Sequence, residues 1–525
     1  MSSVKNDQQL QNETTLLSGV KFPELFFGLV APIGVDTKEF ALILAKCLKQ
    51  VNYSSTVIKV TNLMKSIRTD VELHETPIEK RYSSYIDYAN KVRELLNNEK
   101  DDVSKGNDAL AMLTVAKITE ERKTETGSEK KADVQRAYII DQLKRPEEVK
   151  LLRKVYGRLF VQISIHATKQ KRLQVLRTKI KKSHTDSANK DYSPEAENLI
   201  RRDLSEEEKT HGQRIVDAFP LADVTIDAND KNRAETEIRR FVQLLFGFNF
   251  ITPTRDEYGM YAAKNASLRS ADLSRQVGAA IFSIEGEVIT MGANEVPKPG
   301  GGTYFEGDKD DQRDFVHGSD FNEYEKNAIV REFVKRLDDD NCFADKISKS
   351  NSLRTLYEKV DYLLNSGPVL KEARVMDLLE FGRQVHAEMN AICDAARLGK
   401  PIKNSTLFCT TFPCHMCAKL IIASGVKRVV YIEPYPKSYA EDMYATSITF
   451  ETGEANDNKV LFQPFTGVAP FRYRDLFEKG KRKVGGAAQD WKDGEPMPNI
   501  GILSETYLEQ EPLVVAQLAS RIARL

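Results

Sequence analysis

Four side chains in the C-terminal half have the types and spacing to hold a metal and move protons. His386 and Glu388 lie in HAEMNAI, Cys414 and Cys417 lie in PCHMC, and 24 residues separate Glu388 from Pro413. Two cysteines with two residues between them at a helix start can face one metal ion, and a histidine at a neighbouring helix start supplies a third ligand. The fourth position is left for water, which distinguishes a catalytic zinc site from a closed structural one. Thiols at helix N-termini also gain from the helix dipole, which favours the thiolate that a metal requires. Bound zinc lowers the pKa of water from 15.7 to about 7. A carboxylate two residues beyond the histidine is badly placed to be a further ligand but reaches that water. Glu388 therefore reads as the group that carries protons.

Either motif alone is weak. In this order, each at the start of a helix, they form the H-x-E and P-C-x-x-C pattern of zinc deaminases acting on cytosine or adenine. His415, between the two cysteines, points away from the site its neighbours share. Cys393 and Cys409 read as small buried apolar residues. With Cys47 and Cys342 the chain has six cysteines in 525 residues, too sparse for a disulfide framework.

The elements that must position these groups are α/β in pattern. HAEMNAICDAARLG reads as a helix stopped by Gly399, and STLFCTTFPCHMCAKLIIASGVKRVVYIEP as strand, loop, helix and strand. Upstream, RSADLSRQVGAAIFSIEGEVITMGANEVP reads as a helix leading into a β-hairpin that turns near Glu285-Gly286. A polar insertion separates these stretches at about residues 300 to 381. In the N-terminal half, FPELFFGLVAPIG reads as a buried strand and a glycine turn, and DTKEFALILAKCLKQ as a helix capped by Asp36 or Thr37. STVIKVTNLM reads as a second strand, so the unit is βαβ and the sheet parallel. A helix at YSSYIDYANKVRELL, a charged loop over 95–133, strands at AYIIDQL, LFVQISIHA and DVTIDAN, and the helical EEVKLLRKVYG, KQKRLQVLRTKIKK and NLIRRDLSEEEKTHGQ complete this half.

Size and composition limit what else the chain can be. At 525 residues it exceeds one core, and its 41% hydrophobic and 29% charged residues describe a soluble globular protein. With 77 basic and 77 acidic residues the net charge is zero, so nothing global favours sequence-independent binding to nucleic acid. The polar N-terminus has no signal-peptide core and no stretch is apolar enough to span a membrane, which places the protein in the cytoplasm.

HAEMNAI, TTFPCHMCAKLIIASGVKRVVYIEPYPKS and RQVGAAIFSIEGEVITMGANEVP together resemble the deoxycytidylate deaminase family of the cytidine deaminase-like superfamily, over about residues 255 to 475. The resemblance implies a three-layer α/β/α domain: a mixed sheet of about five strands, helices on both faces, and one catalytic zinc between two helix starts. It implies that Asn294 contacts the sugar hydroxyl and that the Ala387 backbone N–H contacts the base carbonyl. Lys298, Lys437 and Ser438 lie near motif positions and are candidates for the substrate phosphate. Val277 and Gly278 read as packing and close approach.

The N-terminal half resembles a P-loop kinase, with Gly28 and Gly34 in the strand-to-helix turn. Val35 stands where that family has its phosphate-binding lysine, and Asp36, followed by Thr37, where its magnesium-binding Ser or Thr belongs. Asp141 is positioned to mimic the second acidic motif, and Arg201 and Arg202 to sit in a lid. The departures weigh against phosphoryl transfer and leave nucleotide and magnesium binding, sensing or scaffolding.

The expected organisation is a flexible tail (1–20), a degenerate P-loop kinase-like domain with a parallel sheet (21–245), a zinc deaminase domain (255–500) and a C-terminal helical tail (501–525). Such an architecture resembles the bacterial anti-phage cytidine deaminases. That resemblance implies dCTP and dCMP as substrates, a homo-oligomer built through the deaminase domain, and restraint by a regulatory RNA or nucleotide effector until infection. Three other functions fit the site. One is editing of a flipped base in RNA or DNA, for which the basic KQKRLQVLRTKIKK speaks. The others are a housekeeping dCMP deaminase supplying dTMP synthesis, and a regulator with purely structural zinc.

Overall fold

The structure is a computed structural model that describes residues 20–525 apart from 98–105, 185–189, 205, 207–208, 345–346, 348–349, 351, 367–369, 371–372, 436–437, 451–457 and 503. The expected tail therefore lies, but for Val20, outside the described residues. The chain forms two compact units: one runs to Glu257 and resumes at Thr466, and the other is Tyr258–Phe465.

In the first unit, β1 (Leu25–Val30), α1 (Thr37–Lys49), β2 (Ser54–Lys59), α2 (Ile78–Leu95), α3 (Ala109–Thr126), β3 (Arg136–Leu143), α4 (Pro146–Tyr156) and β4 (Phe160–His166) follow one another. Then come α5 (Lys169–Lys182), α6 (Ser193–Leu204), β5 (Val224–Asp227) and α7 (Lys231–Leu245). The five strands are parallel in the order β2-β3-β1-β4-β5. Every residue of β1 is buried, as a parallel strand covered on both faces requires.

Several elements differ from the sequence reading. Gly28 lies inside β1 and not in the turn, because a Cβ there would meet Leu143 and Phe160 at 2.7 Å. The second strand stops at Lys59, and Val60–Leu63 is already helical. The supposed charged loop contains α3, whose first turns bury Ala109 through Leu113. Helical turns buried on all sides carry no amphipathic period to reveal them.

The second unit contains α8 (Arg255–Ser267), β6 (Gly278–Phe282), β7 (Val288–Ala293), α9 (Phe321–Asp339), α10 (Ala387–Arg397), β8 (Thr406–Thr411), α11 (His415–Ala423), β9 (Arg428–Glu433), β10 (Ile448–Thr449) and β11 (Val460–Pro464). The sheet order is β7-β6-β8-β9-β11-β10, with β6 antiparallel to both neighbours and the other pairs parallel. The helix expected in RSADLSRQ ends earlier, at Ser267; Asp272 instead organises a turn, accepting the N–H of Ser274 at 2.8 Å. Gly278 does mark a close approach: a Cβ would overlap the Ala263 carbonyl and the Ser267 nitrogen of α8. The 300–381 insertion has its own small core of Val330, Val334, Ile347, Val360 and Leu363.

The chain then returns to the first unit. β12 (Gly467–Val468) pairs antiparallel with β5, and α12 (Pro470–Phe477) and α13 (Tyr507–Ile522) follow. The second unit thus ends at Phe465 and not near residue 500, and residues 501–525 are not a tail. Tyr507, Val514 and Leu518 of α13 are buried in the same core as β1. Fully buried Arg122 of α3 donates from Nε to Glu24 at 2.9 Å and from Nη2 to Glu511 of α13 at 2.9 Å. The Tyr507 hydroxyl donates to Glu24 at 2.7 Å. No described helix is long and apolar enough to cross a membrane.

Removing one member of a buried, hydrogen-bonded ion cluster costs about 3–5 kcal/mol. Glu511→Ala is expected to lower the unfolding free energy of the first unit by about that amount, read as a reduced urea midpoint.

Candidate active site

The site is built where two helices begin. His386 stands at the N-cap of α10 and Cys414 at the N-cap of α11, both with extended backbone (φ −61°, ψ 154° and φ −66°, ψ 167°). Their side chains project from the helix ends toward each other. Two features of β7 fix α10 in place. A Cβ on Gly292 would overlap the Ala387 carbonyl and the Ala391 nitrogen, and the Thr290 hydroxyl donates to the Ala391 carbonyl at 2.9 Å.

The structure brings together the three residues read as ligands. His386 Nδ1 lies 3.3 Å from Cys414 Sγ and 3.4 Å from Cys417 Sγ. One ligand atom from each of the three residues lies within 4.8 Å of the others, the one such cluster among the described residues. Zinc bonds of about 2.3 Å to sulfur and about 2.0 Å to nitrogen at a tetrahedral angle imply a sulfur-to-nitrogen separation of about 3.5 Å. The donor set fits a zinc ion. His415 is outside the cluster, its ring edge-on to Tyr439 at 5.8 Å. Cys409 is buried, but Cys393 is exposed on α10, against the expectation of burial.

The protons in this cluster are unevenly held. A hydrogen bond from Cys417, then one from His386, pulls the Cys414 thiol down to about 4. Burial pushes Cys417 well above its ordinary value. Burial alone would lower His386, but the hydrogen bond to Cys414 and its charge raise the imidazole to about 9. Burial raises the Glu388 carboxyl, and the neighbouring Cys414 charge adds to it. Glu388 is only 4% exposed and shares one cavity of about 160 Å³ with His386, Ala387, Cys414 and Asn294.

The other expected contacts divide. Asn294 faces that cavity, its Oδ1 accepting the Val277 N–H at 2.7 Å and its Nδ2 donating to the Arg275 carbonyl at 2.9 Å. Lys298 does not line the cavity and pairs with Asp308 at 2.9 Å. Ser438 does not line it either; its hydroxyl donates to the Pro413 carbonyl at 2.9 Å. Lys437 lies outside the described residues.

Sequence reasoning missed Arg275, which lines the cavity with its guanidinium 5.2 Å from the Tyr435 ring. Its place directly before the Gln276-Val277-Gly278 strand was the available signal. Also missed was the contribution of the insertion. Asp320 and Asn322 line the same cavity, and Asn322 donates to the Leu378 carbonyl at 2.9 Å. Asp314 accepts Arg383 Nη1 at 2.9 Å and Gln384 Nε2 at 2.5 Å, anchoring the segment that leads into His386. No spacing in the sequence announces these contacts.

Residues 253–433 match the family model described as the cytidine and deoxycytidylate deaminase zinc-binding region. The C-terminal half of the chain thus carries a region similar to the cytidine and deoxycytidylate deaminases. Among similar proteins, the deoxycytidylate deaminase of Enterobacteria phage T2 is 49% identical over 55 residues, 10% of this chain and 29% of that protein. The ComE operon protein 2 of Bacillus subtilis (strain 168) is 36% identical over 77 residues, 14% of this chain and 41% of that protein. The chain thus spans well under two thirds of the length of either relative. A dCMP deaminase structure from the cyanophage S-TIM5, in complex with dCMP and dUMP, is 19% identical, with 41% of this chain and 99% of that chain covered and a TM-score of 0.22.

Because thiols must lose their protons to bind metal, zinc retention against a chelator is expected to weaken as the pH falls. Cys414→Ala should abolish zinc binding, whereas Glu388→Gln should leave the zinc content near one ion per chain, both read by elemental analysis.

Proposed function

We propose that the deaminase-like unit hydrolyses the exocyclic amino group of free deoxycytidine nucleotides, dCMP or dCTP, giving the uracil nucleotide and ammonia. The observation that carries this reading is a buried glutamate sharing a cavity with a His/Cys/Cys cluster that fits zinc. A bound zinc would supply Lewis acidity at the attacking water. Glu388, with its carboxyl raised by burial, takes a proton from that water and delivers it to the ring nitrogen beside the reacting carbon. It then takes the remaining proton of the hydroxyl now on that carbon and passes it to the amino group, which leaves as ammonia while the carbon keeps the water oxygen as a carbonyl. The Ala387 N–H, at the start of α10, meets the base carbonyl.

Asn294 is oriented by two backbone bonds, and a carboxamide has a further N–H and lone pair for a sugar hydroxyl. Arg275, half exposed and at the same cavity, is the cation for the substrate phosphate. Lys298 and Ser438 do not line the cavity and are poorer candidates.

For the first unit, the parallel order β2-β3-β1-β4-β5 and the turn Ala31–Asp36 support a degenerate P-loop kinase-like domain. Val35 and Asp36 in that turn weigh against phosphoryl transfer. Joined to the deaminase unit, it supports a cytoplasmic homo-oligomer that depletes deoxycytidine nucleotides as anti-phage defence. Phage plating on cells carrying the wild-type or Glu388→Gln chain tests this role; equal protection by both would refute it.

Ammonia release from dCMP, dCTP, CTP and cytidine tests the reaction itself. Turnover of the deoxynucleotides is expected, with Glu388→Gln slower by about 10²–10⁴-fold. Arg275→Gln should raise KM more than it lowers kcat, the sign of a lost binding contact. Absence of turnover with every nucleotide, alongside base conversion in single-stranded RNA or DNA, would transfer the site to polynucleotide editing.

A further inference from the structure

The loop between α8 and β6, residues 268–277, carries Asp272, Ser274 and Arg275 to the wall of the cavity that holds Glu388. A loop has no ladder of its own, so other groups must fix it. Within it, Asp272 Oδ1 accepts the N–H groups of Ser274 at 2.8 Å and of Arg275 at 3.2 Å. Gln276 Nε2 donates to the Ser270 carbonyl at 2.8 Å. These bonds shape the loop without attaching it to the metal-binding side of the cavity.

Attachment comes from two consecutive residues just beyond β7. Asn294 holds the far end of the loop through the Arg275 carbonyl and the Val277 N–H. Glu295 holds its beginning, Oε2 accepting the Ala271 N–H at 2.8 Å. Its Oε1 accepts the Val296 N–H at 2.9 Å, so both oxygens are engaged. The Glu295 backbone also pairs in both directions with Val385, its N–H donating at 3.2 Å and its carbonyl accepting at 3.0 Å. Val385 directly precedes His386. One residue thus joins the loop of Arg275 to the segment that presents the imidazole.

The carboxylate is only 1% exposed, and a buried charge is costly unless its hydrogen bonds are made. The Arg269 guanidinium, on which the Glu295 charge acts, stands 3.9 Å from the Phe305 ring and donates to Thr303. Closing the strand end on Val296 needs one acceptor. A carboxylate supplies a second, and here that second oxygen reaches across to Ala271.

We infer that Glu295 is a positioning residue for nucleotide specificity: it sets where Arg275 stands relative to the His/Cys/Cys cluster, and so how far a 5′-phosphate is held from the reacting base. The inference rests on Arg275 being the cation for that phosphate. Glutamine at this position offers one oxygen for two N–H groups and leaves one of them unmatched. With the Ala271 bond gone the loop is released, while Glu388 and the three metal-binding side chains keep their own supports. A substrate phosphate is then held less well, and the proton transfers are unchanged.

Steady-state deamination of dCMP by the zinc-loaded full-length chain tests this. Glu295→Gln is expected to raise KM about tenfold, the scale of one lost hydrogen bond to a charged group. Its kcat should stay within about twofold of the wild type, with zinc content near one ion per chain. Because Glu295 acts through Arg275, the same change in an Arg275→Gln background should raise KM by less than about a further twofold. An unmoved KM, a fall in kcat as large as the rise in KM, or effects that multiply in the double variant overturn the inference. Should Glu295→Gln not fold, Ala271→Pro decides, since it removes the N–H from the other end of the bond. A raised KM with kcat retained then supports the inference, and an unmoved KM refutes it. Failure of the wild-type chain to turn over any nucleotide would instead remove the deamination reading, and this inference with it.

Discussion

Bringing two thiols and an imidazole within 4.8 Å of one another is the constraint around which the deaminase-like unit is arranged. Such donors repel as anions and lose hydration when buried, so the backbone must hold them before a metal can compensate. The fold does this by starting two helices at the same place and pressing α10 onto β7 so closely that Gly292 has no room for a side chain. The mixed sheet follows from the same need. β8 leads into α11 and β9 leads away from it, while the β6–β7 hairpin carries the glycine face and Asn294.

The His/Cys/Cys cluster and its neighbouring glutamate were legible in the sequence because their spacing is local: His386 with Glu388, and Cys414 with Cys417, each occupy one helix start. The strands were legible where they are continuous apolar runs, as in β1 and β4. What escaped was nonlocal or lacked a period. The first turns of α3 are buried all round, so they show no polar face, and the charged residues of its last turns suggested a loop. Asp320 and Asn322 reach the cavity from inside an insertion whose own core, not any motif, decides where they lie. Cys393 sits on the exposed side of α10, a matter of helix rotation that a residue-type preference does not settle.

The two units solve burial of charge differently. In the deaminase-like unit the cluster is arranged to exchange protons for a cation. In the first unit, Arg122 is matched by two carboxylates, one of which also accepts the Tyr507 hydroxyl, whereas Nε and Nη1 of buried Arg172 have no hydrogen-bond partner among the described residues. The first arginine therefore reads as architecture.

The return of the chain to the first unit sets an order for assembly during synthesis. Domains generally fold as units while the ribosome is still extending the chain. The deaminase-like unit is one continuous segment and can close once Phe465 has emerged. The first unit began earlier but cannot complete the Arg122 cluster until Glu511 is made. Its β1 and α3 must wait, with a buried-to-be arginine and glutamate still in water, through the synthesis of the whole intervening domain. A ribosome stalled between these two points would present a finished metal site on an unfinished partner.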